Sequence, residues 1–402
     1  MKLLIITAAF PPEPVVSSNI SHDLARELSL NNQVTVICPK PTRPFGVVYP
    51  NLGIHENQSL YKRIQLRSFT SPQFSLLGRF RESYSIGKCT YDYIKENHLA
   101  IDVLYVNTWP LFGQYFTIRA AKRYNLPVVI HIQDIYPESL LSKLPIFKTF
   151  FYKLLLPVDR YIQQNSAKVI TISPNMKSLL VKTRKLEEKN VEVVFNWQDE
   201  EIFLDYKRNK KKPLRHPLFT FMYLGSLNTT AAVDILIRAF GKANLMNARL
   251  VIAGNGPKKD FLISLSRTYQ NTNIEFWDAQ MHKVPEIQDQ ADVLLLNLSK
   301  GAAQFALPSK LSAYLFSEKP VIASVDEDSD TARFISNANC GWVVPPENIE
   351  KLTVAMINAA QTPAEKLNDY GKNGFDFASE NLSKKINLHK IASIIEDILI
   401  SK

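Results

Sequence analysis

Residues 305–324 read FALPSKLSAYLFSEKPVIAS. Just before them an apolar strand, VLLLNL from Val293 to Leu298, feeds a loop. From Ser309 onward Leu311, Tyr314 and Leu315 recur on one helical face, and PVIAS supplies the next strand. Strand, helix and strand make one βαβ unit with polar groups at its mouth. In open α/β sheets the ligand lies beyond the carboxyl ends of the strands, where helix N-termini offer free N–H groups to phosphate. Pro308, Ser309 and Lys310 therefore fall at the anion-binding position, and Lys310 is the cation expected to meet a diphosphate. The segments 223–234, 254–258 and 330–335 are expected to converge on it.

Working outward, the second half repeats one grammar. FTFMYLG (219–225) is a strand, and Val233, Leu236, Ile237 and Phe240 then recur at helical spacing. RLVIAGNGP (249–257) runs from strand into a Gly254-x-Gly256 turn, IEFW (274–277) is a strand, and GWVVPPEN (341–348) with a helix to about Ala360 finishes the sheet. The first half opens with the strand Leu3–Ile6, the loop AAFPPEPVVSSN, a helix carrying Ile20, Leu24 and Leu28 with Ser17 or Ser18 as its cap, and the strand QVTVICP (33–39). That first turn lacks glycine, whereas a dinucleotide site needs glycines for close backbone approach, so this half is expected to receive the other substrate. A helix over 84–97, VLYVN (103–107), a helix around 113–124, PVVIHIQD (127–134), KVITIS (168–173) and VEVVFN (191–196) continue the alternation. A charged run ending at proline marks a linker over 201–217. The expected plan is an α/β protein of two Rossmann-like, doubly wound domains facing a central cleft: 1–200, then 218–382. The last helix, 383–402, with Ile386, Ile391, Ile394, Ile395 and Ile398, packs back on the first.

The chain has 402 residues, of which 46% are hydrophobic and 21% charged, as in a globular protein rather than a disordered one. Its three cysteines, Cys38, Cys89 and Cys340, have no CxxC spacing, which points away from a disulfide framework or zinc site and towards a reducing cytosol. KLLIITAAF reads as a buried first strand rather than a signal peptide, and no segment is apolar for the length a bilayer span requires. The net charge of +10 favours a polyanionic partner. Arginines and aromatics mix over 40–82, yet no nucleic-acid signature accompanies them, and nucleic acid is not the expected partner. Between 139 and 164, LLSKLPIFKTFFYKLLLPVDRYIQQ combines apolar residues with Lys143, Lys148, Lys153 and Arg160. It suits an interfacial segment on anionic lipid, or else a pair of core helices with a basic edge.

HIQDIYPES (131–139), TIS (171–173), FNW (195–197), YLGSL (223–227), LVIAGNGP (250–257), LPSKLSAYLFSEKPVIAS (307–324) and DTARFI with CGWVVPPEN (330–348) together resemble the GT-B glycosyltransferases, in particular the retaining family 4 enzymes of bacterial O-antigen and capsule assembly. The resemblance implies transfer of a hexosyl or N-acetylhexosaminyl group from a UDP- or GDP-linked sugar to a prenyl-diphosphate-linked sugar. It also implies no metal or other cofactor, and a cytoplasmic location, peripheral on the inner membrane face. It places His131, Asp134 and Lys310 as catalytic residues. Gly225, Ser226, Asn228, Gly254, Gly256, Pro308, Ser309, Lys310, Leu311 and Asp330 fall on the donor side, with Asp328 an alternative to Asp330. Ser17, Ser18, Gln133 and Glu138 fall on the acceptor side. The arginine, lysine and glutamate common in the family fall at Ser226, Ala231 and Ala313, which keeps open a second reading, a non-catalytic homologue that binds the carrier or organises assembly enzymes.

Overall fold

The computed structural model describes residues 1–400 except 43–48, 50–54, 58–59, 72–74, 108–109, 139–147, 210–215, 270–271, 281–282 and 303–306. The chain forms two compact units, one of Met1–Val194 with Leu388–Lys402 and one of Phe195–Asn387.

The first unit is built on an eight-stranded sheet. Its strands are β1 (Lys2–Thr7), β2 (Gln33–Cys38), β3 (His55–Asn57), β4 (Lys62–Gln65), β5 (Val103–Asn107), β6 (Val128–Ile132), β7 (Lys168–Thr171) and β8 (Val191–Val193), in the order β3-β4-β2-β1-β5-β6-β7-β8. Neighbours are parallel except β3 and β4. VLYVN and VVIHI are buried along their whole length, as strands covered on both faces must be. The order runs outward from β1 in one direction and resumes from β5 in the other, so the switch point lies between the ends of β1 and β5.

The second unit carries a parallel six-stranded sheet: β9 (Phe219–Leu224), β10 (Ala248–Ala253), β11 (Asn273–Trp277), β12 (Val293–Asn297), β13 (Val321–Ser324) and β14 (Gly341–Val344), in the order β11-β10-β9-β12-β13-β14. Alternate side chains feed two cores. Phe221, Tyr223, Leu250, Ile252, Val293 and Leu295 pack with Leu236, Phe240 and Leu352. Met222, Leu224, Val251, Leu294 and Leu296 pack on the other face with Leu311, Leu315 and Ile335. The switch point here lies between β9 and β12.

The structure corrects several expectations. The 201–217 segment is not a simple linker: Glu201–Asn209 is a helix whose Phe203 belongs to the second core, packed on Phe316 at a centroid distance of 6.1 Å. Its charges occupy the exposed face, which is why composition reads as linker. The helix Val16–Leu28 begins at an uncapped Val15, so Ser17 and Ser18 lie in its first turn rather than capping it. The helix expected over 84–97 starts earlier, as Leu76–Asn97, where Ser75 accepts a hydrogen bond from the Gly78 amide. Ala364–Asn381 is a further helix with no counterpart in the sequence reading. The last helix, Lys384–Ile400, buries Ile391, Ile394 and Ile395 but leaves Ile386 exposed, and its Lys390 ammonium donates to the Val193 carbonyl at 2.7 Å. Among the described residues no helix is long and apolar enough to cross a membrane.

Phe203→Ala should cost about 3 kcal/mol in urea unfolding, the usual penalty for emptying a buried aromatic site. A true linker residue would change stability by under about 0.5 kcal/mol.

Candidate active site

The carboxyl edge of the second sheet carries the anion-binding features. Helix Ser309–Phe316 begins at Pro308 without a side-chain cap; the Leu311 amide turns back to the Pro308 carbonyl at 2.9 Å, and the Ser309 and Lys310 amides are the ones a helix start offers to an acceptor. Two tyrosines fix this helix to the end of β9. Tyr314 Oη donates to the Leu224 carbonyl and accepts from the Leu224 amide, both at 3.0 Å. Tyr223 Oη donates to the Ser226 carbonyl at 2.8 Å and accepts from Lys310 Nζ at 2.5 Å. The ammonium also lies 4.4 Å from the Tyr223 ring centroid. Burial pushes the Lys310 pKa down from 10.5 to about 8.

Glycine makes room for this lysine. A Cβ on Gly225, whose φ is +157°, would lie 2.1 Å from Lys310 Cε. Gly254 has φ +145°, and a Cβ there would stand 2.0 Å from the Gly225 carbonyl oxygen. Gly256 similarly faces the Leu227 carbonyl. Gly254 and Gly256 thus let two backbone turns stack.

Other donor-side residues separate into rim and interior. Ser226, Asn228 and Ser309 are exposed and Pro308 is half-buried, all at this edge. Asn228 Oδ1 accepts from the Ala231 amide at 2.9 Å and its Nδ2 donates to Ser226 Oγ at 3.3 Å, which shapes the turn. Leu311 is a fully buried core residue rather than a ligand contact. Asp330 is buried and accepts from Arg333 Nη2 at 2.5 Å, so its expected role with a donor hydroxyl gives way to an ion pair on its own helix. Ala231 and Ala313 are both buried. Sequence reading missed Asn297, which ends β12 at the switch point and donates to the Ala231 and Ala232 carbonyls at 3.0 and 2.7 Å. A polar residue closing the apolar run VLLLN was the available signal.

At the switch point of the first sheet Thr7, Ser21 and Asn107 form a buried polar knot. Thr7 Oγ1 lies 2.8 Å from Ser21 Oγ, and Asn107 Nδ2 donates to Ser21 Oγ at 2.7 Å and to the Ser17 carbonyl at 3.3 Å. Ser17 is half-exposed here, whereas Ser18 is buried. Register pairs Thr7 with Asn107 and Asn107 with His131, so the ends of β1, β5 and β6 lie side by side.

His131 was expected to touch substrate, but its ring is fully buried. Gln133 Nε2 donates to His131 Nε2 at 3.0 Å, which leaves the proton on Nδ1 to be donated to Tyr105 Oη at 2.6 Å. Burial lowers its pKa from 6.5 to about 3, so the imidazole is neutral. It steadies Gln133, which is half-buried, beside the exposed Asp134. Glu138 is likewise not free to read an acceptor hydroxyl: both its oxygens accept from Arg184, at 2.7 Å each. Of the expected interfacial segment, 139–147 lies outside the described residues, while helix Lys148–Gln164 exposes Phe150, Phe151 and Leu154 and buries Leu155 and Ile162.

Comparison with known proteins agrees with this architecture. The model described as "Glycosyltransferase Family 4" matches residues 18–201, and "Glycosyl transferases group 1" matches 205–377. A Pseudomonas aeruginosa protein described as "Probable glycosyltransferase WbjE" is 20% identical over 281 residues, 67% of this chain and 68% of its own. Sucrose-phosphate synthase from Thermosynechococcus elongatus superposes with a TM-score of 0.75 at 13% identity over the whole of both chains. HepE of Anabaena in complex with UDP gives 0.70 at 14% identity over 99% of this chain and all of that one, and HepE is also known with UDP-glucose. Two parallel doubly wound units with these matches define a GT-B glycosyltransferase. Within that class the chain belongs to the family 4 type.

The unfolded chain binds a proton at His131 near pH 6.5 that the folded one refuses until about pH 3, so the stability this residue contributes is complete above 6.5 and lost as pH falls through that window. His131→Asn should flatten the acid limb of unfolding free energy against pH, where one proton corresponds to about 1.4 kcal/mol per pH unit. An unchanged limb would mean that the imidazole is solvated.

Proposed function

We propose that this chain is a retaining glycosyltransferase that moves a sugar from a UDP- or GDP-linked donor to a prenyl-diphosphate-linked sugar acceptor in bacterial O-antigen or capsule synthesis. The observation that carries the reading is Lys310: a half-buried ammonium beside an uncapped helix N-terminus at the switch point of the second sheet. As the bond from the anomeric carbon to the diphosphate breaks, negative charge grows on the departing oxygen. An ammonium held in place with aligned N–H groups stabilises that charge without reorganising. Tyr223 Oη holds Lys310 until the diphosphate takes over as its partner. Charge stabilisation is thereby assigned to the chain itself and not to a metal. The binding of UDP and UDP-glucose by HepE supports a nucleotide-sugar, and the name of WbjE is consistent with polysaccharide assembly. Ser17, Gln133 and Asp134 are the acceptor-side groups, with Asp134 taking the proton of the attacking hydroxyl.

Phe150, Phe151 and Leu154, flanked by Lys148 and Lys153, suit a helix lying on anionic lipid, which would hold the protein on the inner face of the cytoplasmic membrane beside its carrier-linked acceptor.

Burial of Ala231 and Ala313, where the family carries a lysine and a glutamate, favours one rival, a non-catalytic carrier-binding homologue. Calorimetric titration of UDP in EDTA separates the two. Affinity should weaken as pH rises through about 8 and Lys310 loses its proton. Lys310→Met should bind about tenfold to a hundredfold more weakly at pH 7, with no such pH dependence. Absence of any binding of UDP or GDP by the native chain would remove the transferase reading. For the membrane, a Phe150→Ser, Phe151→Ser variant should lose flotation with anionic vesicles that the native chain retains, and equal flotation of both would sink that part.

A further inference from the structure

The loop after β6 ends in a charged knot that the reaction as read above leaves unused. Arg184 is the last residue of helix Pro174–Arg184 and is fully buried. All five of its N–H donors are engaged. Nε reaches Asp159 Oδ2, Nη1 reaches Glu138 Oε1 and Thr183 Oγ1, and Nη2 reaches Glu138 Oε2, each at 2.7 Å, while Nη2 also donates to the Tyr136 carbonyl at 2.5 Å. Asp159, on helix Lys148–Gln164, accepts a further bond from Gln163 Nε2 at 2.7 Å. At the loop's other end Gln133 is fixed by His131. Residues 133–138 are therefore tied at both ends, with exposed Asp134 between the ties.

Stability alone is a poor account of such a cluster, because burying the Arg184 guanidinium and the Asp159 carboxylate, with Glu138 half-buried beside them, costs solvation that their attraction roughly offsets. A saturated planar fork does fix geometry, in a way that a lysine's single ammonium cannot.

We propose that Arg184 is a positioning residue of the transferase: through Tyr136 and Glu138 it sets the loop that presents Gln133 and Asp134 to the acceptor. The proposal rests on the reading of Asp134 as an acceptor-side group.

Glu138→Gln keeps size and one acceptor oxygen but breaks the two-point ion pair, and Arg184→Lys keeps charge but loses the fork. In the full chain, both should lower kcat/KM for the acceptor by at least about tenfold, because small misplacements of a reacting group are costly. UDP affinity should stay within about twofold of the native value, since the donor side is untouched. Amide exchange over 133–138 should quicken while the strands stay protected. Asp134→Asn combined with Glu138→Gln should lose less than the two single losses together, because Glu138 acts in part through Asp134. Additive losses would overturn the proposal, as would faster loop exchange with unchanged acceptor kinetics, or donor and acceptor parameters falling together with secondary structure. If the native chain transfers no sugar, the functional reading fails by itself, and loop exchange still decides the clamp: unchanged exchange in Glu138→Gln overturns it.

Discussion

The second unit is organised by two phenol groups that leave a buried sheet and bind the backbone at its edge. Tyr314 reaches from the helix to both backbone groups of Leu224, and Tyr223 reaches from the strand to the Ser226 carbonyl. Neither hydroxyl could be buried without a partner except at a cost of a few kcal/mol, so the start of helix Ser309–Phe316 is held at one distance from the end of β9. Lys310 inherits its position from that constraint. Its stem packs where Gly225 has no side chain, and its ammonium meets the Tyr223 phenol oxygen. Neighbouring turns depend on the same economy of space, because Gly254 must admit the carbonyl of Gly225 before the loop can close.

The first unit solves the corresponding problem differently. Among the described residues its switch point is knit by Thr7, Ser21 and Asn107, small neutral groups that hydrogen-bond to one another. Next to them the neutral His131 links Tyr105 to Gln133. One unit thus has a cationic sheet edge and the other a neutral, hydroxyl-rich one. Solved structures share this double architecture at 13–14% identity, a likeness of fold alone.

Much of the fold was legible because a strand buried on both faces reads as a short apolar run, and VLLLN, VVIHI and RLVIA are too short for helices and lie between polar or turn-forming residues. Lys310 was legible by topology, since a residue at a helix start after a central strand has few places to point. Its partner was not, because a tyrosine inside FTFMYL looks like core and is core along most of its length. Glu138 was misjudged because its partner stands 46 positions away, in a run of basic residues that reads as solvent-facing. Leu311 and Asp330 fall on the donor side by resemblance, whereas the structure buries both side chains. Charge density hid the helix Glu201–Asn209, since a nine-residue amphipath with one large buried aromatic has little periodicity to display.

The first unit is discontinuous in sequence, made of Met1–Val194 and of Leu388–Lys402. Ile391 and Ile395 are buried there, so the apolar surface they cover exists before they do. On the ribosome, that surface emerges early and stays wet until residues 388–402 arrive to cover it. Maturation of the first unit thus waits for a segment made some two hundred residues later, and a polypeptide stopped before it would leave a greasy, unfinished flank for chaperones or proteases to find.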